Sequence, residues 1–206
     1  MARRSILDLP EPKRLLILET AAFEFAAHGF EGASLNRIIE RCVMSKSSFY
    51  YYFDDKAQLF AVLIDQATAR LAADVGFPSP ETLSGADFWA QIEALFDRML
   101  VVAEQQPWFL ALGRLFYRSP DAGSADIGGV HLRVRRWVER ALLAGQECGA
   151  IRTDVPFSLL AESVFALLQA LDRWSVEHYE SLTPDEARAT ASTQTDFLKR
   201  MLALPF

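Results

Sequence analysis

Cysteine is nearly absent: Cys42 and Cys148 are the only two in 206 residues. Two thiols so far apart build neither a disulfide framework nor a four-ligand zinc site. The three histidines, His28, His131 and His178, lack metal-ligand spacing to one another or to a cysteine, so no metal and no other cofactor is expected. A run of about 18 apolar residues is also missing, which argues against a transmembrane helix. The opening MARRSILDLPEP has no long apolar stretch before its prolines, so a secretory signal is not expected and the cytoplasm is the natural compartment. Period-2 alternation and hairpin dipeptides do not stand out, and with them go the signs of strands. There is no HExxH pair, no nucleophile elbow and no phosphate-cradling glycine loop. No catalytic residue is expected, and the chain does not read as an enzyme.

What the chain has is apolar bulk. Residues of that kind make up 51 %, enough to bury a real core and to disfavour disorder. The net charge is −6, but it is unevenly spread. Residues 1–60 hold eight Lys/Arg and eight Asp/Glu, whereas residues 61–206 hold thirteen and nineteen. The N-terminal part is therefore the less acidic one, and Arg3, Arg4, Lys13 and Arg14 lie near its start. This distribution, rather than the total, bears on nucleic-acid binding.

The stretch Ser34–Lys56 reads SLNRIIERCVMSKSSFYYYFDDK. Ser34 is placed to cap a helix, with Leu35, Ile38, Ile39 and Cys42 at helical spacing on its buried face. Ser45 is a second cap. After it, Phe49, Tyr52 and Phe53 fall three and four apart and share one face. Lys46 with Tyr50, and Ser47 with Tyr51, fall on other faces and carry a cation, hydroxyls and flat rings outward. A first turn of Lys46, Ser47 and Ser48 followed by tyrosines suits a phosphate-lined groove. Two helices joined by a turn of about three or four residues are the mark of a helix-turn-helix.

These residues resemble the DNA-binding unit of the TetR/AcrR family of ligand-responsive transcriptional repressors. Ile17–Leu35, ILETAAFEFAAHGFEGASL, resembles the family's first helix with its closing Gly-aromatic turn. Phe53, Lys56 and Leu59 match the family's approach to a long fourth helix. The likeness is specific over about residues 14–64 and diffuse beyond. It implies that Lys46, Ser47, Tyr50, Tyr51, Tyr52 and Lys56 occupy DNA-contacting positions, beside Ser34, Ser45 and Ser48. Tyr52 stands where the family often has His, and Ser47 where Gly is common. Val43 sits in the turn where Gly is usual, and would be strained there if the position needs positive φ.

The rest of the chain reads as helices. Helix 1 is expected over about 12–28, closed by Gly29 in the left-handed region, after a flexible arm over residues 1–10. Helix 4 is expected over about 55–75, with Asp54 and Asp55 at its positive end. Five more follow, at about 86–105, 107–118, 125–148, 157–179 and 184–203. Thr183-Pro184-Asp185-Glu186 reads as a capping box with Pro at N1. The expected fold is all-α with about nine helices: a helix-turn-helix domain over 1–54 and a helical domain over 55–206, bridged by helix 4.

Aromatics are dense beyond residue 85. An ordinary helical core accounts for any one of them, but pockets between bundle helices are lined in the same way. The family's inducer sits among the middle helices, which makes Phe96, Met99, Trp108, Phe109, Leu112, Phe116 and Trp137 candidates for a lipophilic or aromatic ligand. Helix 157–179 is apolar nearly all round, so something must cover every side. The family pairs its last two helices with their copies, which points to Leu160, Val164, Leu167, Leu171, Phe197 and Met201 as a homodimer face. The expectation is a homodimeric repressor that binds palindromic double-stranded operator DNA and is released by a small-molecule inducer. The rivals are a helical small-molecule binder or enzyme without operator binding, and a sequence-tolerant architectural DNA protein, which the net charge disfavours.

Overall fold

The computed structural model describes residues 5–118 and 124–203, with side chains throughout those spans except at 115, 116, 118 and 124–128. Among these residues are nine α-helices and no strand. They are α1 (Glu11–Gly32), α2 (Leu35–Arg41), α3 (Lys46–Phe49), α4 (Lys56–Val75), α5 (Phe88–Gln105), α6 (Pro107–Arg118), α7 (Ser124–Glu147), α8 (Phe157–His178) and α9 (Pro184–Leu202). The all-α expectation holds, and most helix limits fall within a few residues of those read from periodicity. The arm does not extend to residue 10. Ser5 and Asp8 form a capping box around a 3-10 turn at Ile6–Asp8, and Ile6 is buried. Arg3 and Arg4 lie outside the described residues.

Packing divides the chain into two units. The first holds α1 to α4 as far as Leu71, and α6. Its core gathers Ile17, Leu18, Ala21 and Phe25 of α1 with Ile38, Ile39, Phe49, Phe53, Leu59, Phe60 and Leu63. Phe25, Phe30 and Phe60 meet ring to ring, Phe60 edge-on to both others. Helix α6 packs on α1 and places Trp108 in the same core, so it belongs by packing to this unit rather than to the helices on either side of it in sequence. At Gly29 the backbone takes φ 67, ψ 175, a region open to glycine alone. It is thus not the left-handed helical cap expected, and the chain resumes a helical turn to Gly32.

The second unit holds α5, α7 from Val130 onward, α8 and α9, with the last residues of α4 from Ala72. Leu83, Phe88, Val138, Leu142, Ile151, Leu160, Val164, Leu198 and Leu202 form its core. Arg98 of α5 donates to the carbonyls of Val75 (2.7 Å) and Gly76 (3.3 Å), which caps the C-terminus of α4. Trp137 Nε1 donates to Pro78 O at 2.9 Å, which ties the following loop to α7. The Thr183–Glu186 capping box forms as expected.

Candidate nucleic-acid interface

Each short helix of the pair is started by a serine. Ser34 Oγ accepts from Arg37 N at 3.4 Å, and Ser45 Oγ accepts from Ser48 N at 3.1 Å. The turn between the helices carries Val43 at φ +49, with its side chain 86 % exposed. The turn therefore does demand positive φ. Helix α3 proper is a single turn, and hydrogen bonds from Tyr52 N and Phe53 N to Phe49 O carry the coil on to residue 53. Phe49 and Phe53 are fully buried, with rings 5.0 Å apart. That anchors the inward face. Lys46, Ser47, Ser48, Tyr50 and Tyr51 are all exposed. Tyr52 is half-buried, packs on the core and braces Tyr51 edge-on at 5.6 Å. One surface thus combines an ammonium, three hydroxyls of serine including Ser45, and two phenols. It can donate to phosphate oxygens and reach base edges or thymine methyls.

Two lysines have local work. Lys56 Nζ donates to Glu31 O (2.8 Å) and Ala33 O (3.4 Å) and lies 5.0 Å over the Phe30 ring. It closes the C-terminal end of α1, with a third N–H left over. Lys13 Nζ donates to Cys42 O at the end of α2. Burial pushes the Cys42 thiol up, despite Thr20 and Lys13 nearby. It is fully buried and packs as a small core residue.

Sequence reading missed Glu24, whose side chain is fully enclosed on α1. Glu24 Oε1 accepts from Ser34 N (2.9 Å) and from Arg37 Nε (2.8 Å). Arg41 lies 3.8 Å and His28 3.9 Å from Oε2. Burial raises the carboxyl pKa, but the Arg37 and Ser34 donors and the nearby positive charge outweigh it, and the net shift is downward. The signal was in the sequence. Glu24 lies three residues from Ala21 and next to Phe25, among the buried residues of α1.

A family profile described as "Bacterial regulatory proteins, tetR family" matches residues 17–63. The HTH-type transcriptional repressor SCO4008 of Streptomyces coelicolor is 30 % identical over 169 residues, 81 % of this chain and 80 % of that protein. The HTH-type transcriptional repressor AcnR of Corynebacterium glutamicum is 40 % identical over 164 residues, 74 % of this chain and 76 % of that protein. The chain belongs to the TetR family. Among solved structures, a TetR family transcriptional regulator from Chloroflexus aurantiacus J-10-FL superposes with a TM-score of 0.72 at 21 % identity, covering 97 % of both chains. The fatty acid degradation regulator FadR of Bacillus halodurans does so with 0.72 at 16 % identity, covering 93 % of this chain and 96 % of that one. At such identities the likeness establishes the fold alone.

In this TetR-family chain the aromatic residues of the middle helices divide between the two cores. Trp108 and Phe109 stack with centroids 4.2 Å apart and pack with Leu112 in the first core. Phe96 and Trp137 pack against the second core, and Met99 is half-buried on α5. The side chain of Phe116 lies outside the described residues. On α8, Leu160 and Val164 are buried within the chain's own second core. Within the single chain they face inward, packed with Val138, Ala141 and Leu142 of α7 and Leu198 and Leu202 of α9 in that core. Leu167, Leu171 and Met201 sit half-buried at the core's margin, and Phe197 is 61 % exposed. Leu171, Trp174, Leu182 and Phe197 line an open groove of about 460 Å³ between α8 and α9. No helix among the described residues is long and apolar enough to cross a membrane.

Proposed function

We propose that this regulator represses transcription by binding palindromic operator DNA as a homodimer and lets go when a small lipophilic or aromatic ligand binds. The observation that carries the reading is the exposed Lys46–Tyr51 surface held over buried Phe49 and Phe53. A helix-turn-helix presents its second helix to the major groove, and two copies placed about one DNA turn apart read a palindrome. Residues 1–54 are the DNA-reading part in this scheme, and residues 55–206 serve ligand and partner, with α4 running from one to the other. Lys46 and the third N–H of Lys56 meet phosphate. Ser47, Tyr50 and Tyr51 approach base edges, and Ser34, Ser45, Ser48 and Tyr52 flank them. The names of SCO4008 and AcnR, both transcriptional repressors, support the sign of the effect. The cytoplasm, where the DNA is, is the proposed site of action.

Release requires a ligand that binds better to a conformation unfit for DNA. Helix α4 begins at Lys56, and its last turn is held by Arg98 of α5, so α4 is the element through which such a ligand acts. The half-buried Phe96, Met99 and Trp137 are the first residues to substitute in a search for it.

A gel shift with the DNA upstream of the chain's own gene, against a scrambled duplex, tests the reading. The parent shifts the first at lower concentration. Lys46→Ala weakens binding to both duplexes and lowers the salt slope by about one per half-site. Tyr51→Ala costs about 1–3 kcal/mol per half-site on the operator alone. If both folded variants bind like the parent, α3 is not the reading element. The four tryptophans allow fluorescence titration with a lipophilic panel. A tight ligand that leaves operator affinity unchanged sinks the release mechanism.

A further inference from the structure

The cap of α2 is completed from another helix. In a capping box the third helical residue is Glu or Gln, and its side chain accepts the N–H of the cap residue. Helix α2 follows half of this pattern, since Ser34 Oγ accepts from Arg37 N. Its third residue, however, is Arg37, a donor with no lone pair to offer. Glu24 of α1 supplies the acceptor instead, taking the Ser34 N–H at 2.9 Å. Arg37 Nε donates to the same oxygen at 2.8 Å, and its Nη2 goes on to Gly32 O at 3.1 Å. One carboxylate oxygen thus gathers the cap residue and the third position of α2 and, through Arg37, the last turn of α1.

We propose that Glu24 is the positioning residue of the DNA-reading unit: it fixes the rotation of α2, and through it the aim of α3, without touching DNA. Three observations bear on this. Helix α2 has seven residues, far fewer than a helix needs to persist alone, so its placement is set by what it is tied to. Only Cys42–Ser45 separate α2 from α3, so a turn at the start of α2 is passed on to Lys46 and the tyrosines. The Glu24 side chain is fully enclosed, and Oε2 has no hydrogen-bond partner among the described residues. Arg41 and His28 approach it only to 3.8 and 3.9 Å. Such a group is costly to bury, and the ties to α2 are what offset that cost.

The inference rests on α3 being the reading element, and the test separates the two. The full chain first selects a preferred duplex from a random pool. Affinities for that duplex and for a scrambled one are then measured for the parent, Glu24→Gln and the double variant E24L/R37M. Glu24→Gln keeps shape and a neutral acceptor. The double variant removes the enclosed charge together with its main partner, so no enclosed charge loses that partner, but it leaves the Ser34 N–H unpaired. Amide exchange over Ser34–Ile38 in DNA-free protein reports the cap directly. Both variants are expected to fold, to exchange those amides about tenfold faster, and to lose about fivefold or more in the ratio of selected to scrambled affinity. Lys46→Ala, the control, lowers both affinities and leaves α2 exchange alone. A folded variant that keeps the parent's ratio, or unchanged exchange over α2, overturns the proposal. So does failure of both variants to fold, which would make the pair a requirement for folding. A parent that selects no duplex refutes the reading surface instead, and exchange still decides whether Glu24 places α2.

Discussion

Val43 stores strain that nothing around it repays. At φ +49 a β-branched side chain costs about 1–2 kcal/mol, and with 86 % of it exposed no packing offsets that. Val43→Asn, which tolerates this region, is expected to raise stability by about 1 kcal/mol. Val43→Gly should gain less, because glycine adds freedom to the unfolded chain. Chemical denaturation checks both, and an unchanged or lower midpoint for Asn would mean the turn is unstrained. Glu24 makes a second prediction at this scale. Its folded pKa lies below the usual value of 4.5, so it contributes stability that is fully present above that value and lost as pH falls through the folded one. Thermal melts from about pH 3 to about pH 6 should show a shallower acid loss in Glu24→Gln than in the parent. Equal slopes would mean that the carboxylate is not preferentially ionised in the fold.

Elements are held at their ends and pressed together at their narrow points. Lys56 and Arg98 each satisfy the closing carbonyls of a helix they do not belong to. Lys56→Ala is therefore expected to lower stability by about 1–2 kcal/mol as well as DNA affinity, whereas Lys46→Ala lowers affinity alone. Comparing melting with binding for the pair distinguishes a clamp from a contact. Helix α7 has its narrow point at Gly145, where an added Cβ would stand 2.5 Å from Ile151 Cδ1 and 2.8 Å from Phe88 Cζ. Gly145→Ala gains helix propensity but must displace both side chains, and a net loss of about 1–2 kcal/mol is expected. A more stable variant would show that the second core is looser than its geometry implies. These ends and narrow points are partly legible in sequence. Pro107, Thr183 and Gly76 mark helix limits by their own chemistry, whereas Gly145 reads only as a weak spot in a helix until its neighbours are known.

At the scale of the molecule the α8–α9 groove is an exposed apolar surface. Trp174 stacks on His178 at 4.4 Å and remains 42 % exposed, and Phe197 is more exposed still. Such a surface suits a second copy of the chain, since a two-fold axis brings the same patch from both sides. Light scattering of the parent is expected to give twice 23.1 kDa. The double variant L171D/F197D should give the single mass and lose operator binding with it, because one half-site makes too few contacts. A dimer that survives both charges places the partner elsewhere. Leu160 and Val164 are poor choices for this experiment, because a charge there would unfold the second core instead.

Local chemistry determined the helices, their caps, the buried Phe49–Phe53 face and the exposed Lys46–Tyr51 face, because each follows from spacing within a few residues. The family resemblance marked Val43 as strained if its turn needs positive φ, and the structure supplied that φ. What lies far apart in sequence was decided only by the tertiary structure. The packing of α6 on α1, the inward turn of Leu160 and Val164, and the work of Lys56 on α1 depend on which surfaces meet. Glu24 is the clearest case. Its place beside Ala21 and Phe25 can be read from spacing, but a buried carboxylate becomes favourable only when its donors arrive, and Ser34 and Arg37 reach it only once α1 and α2 have docked.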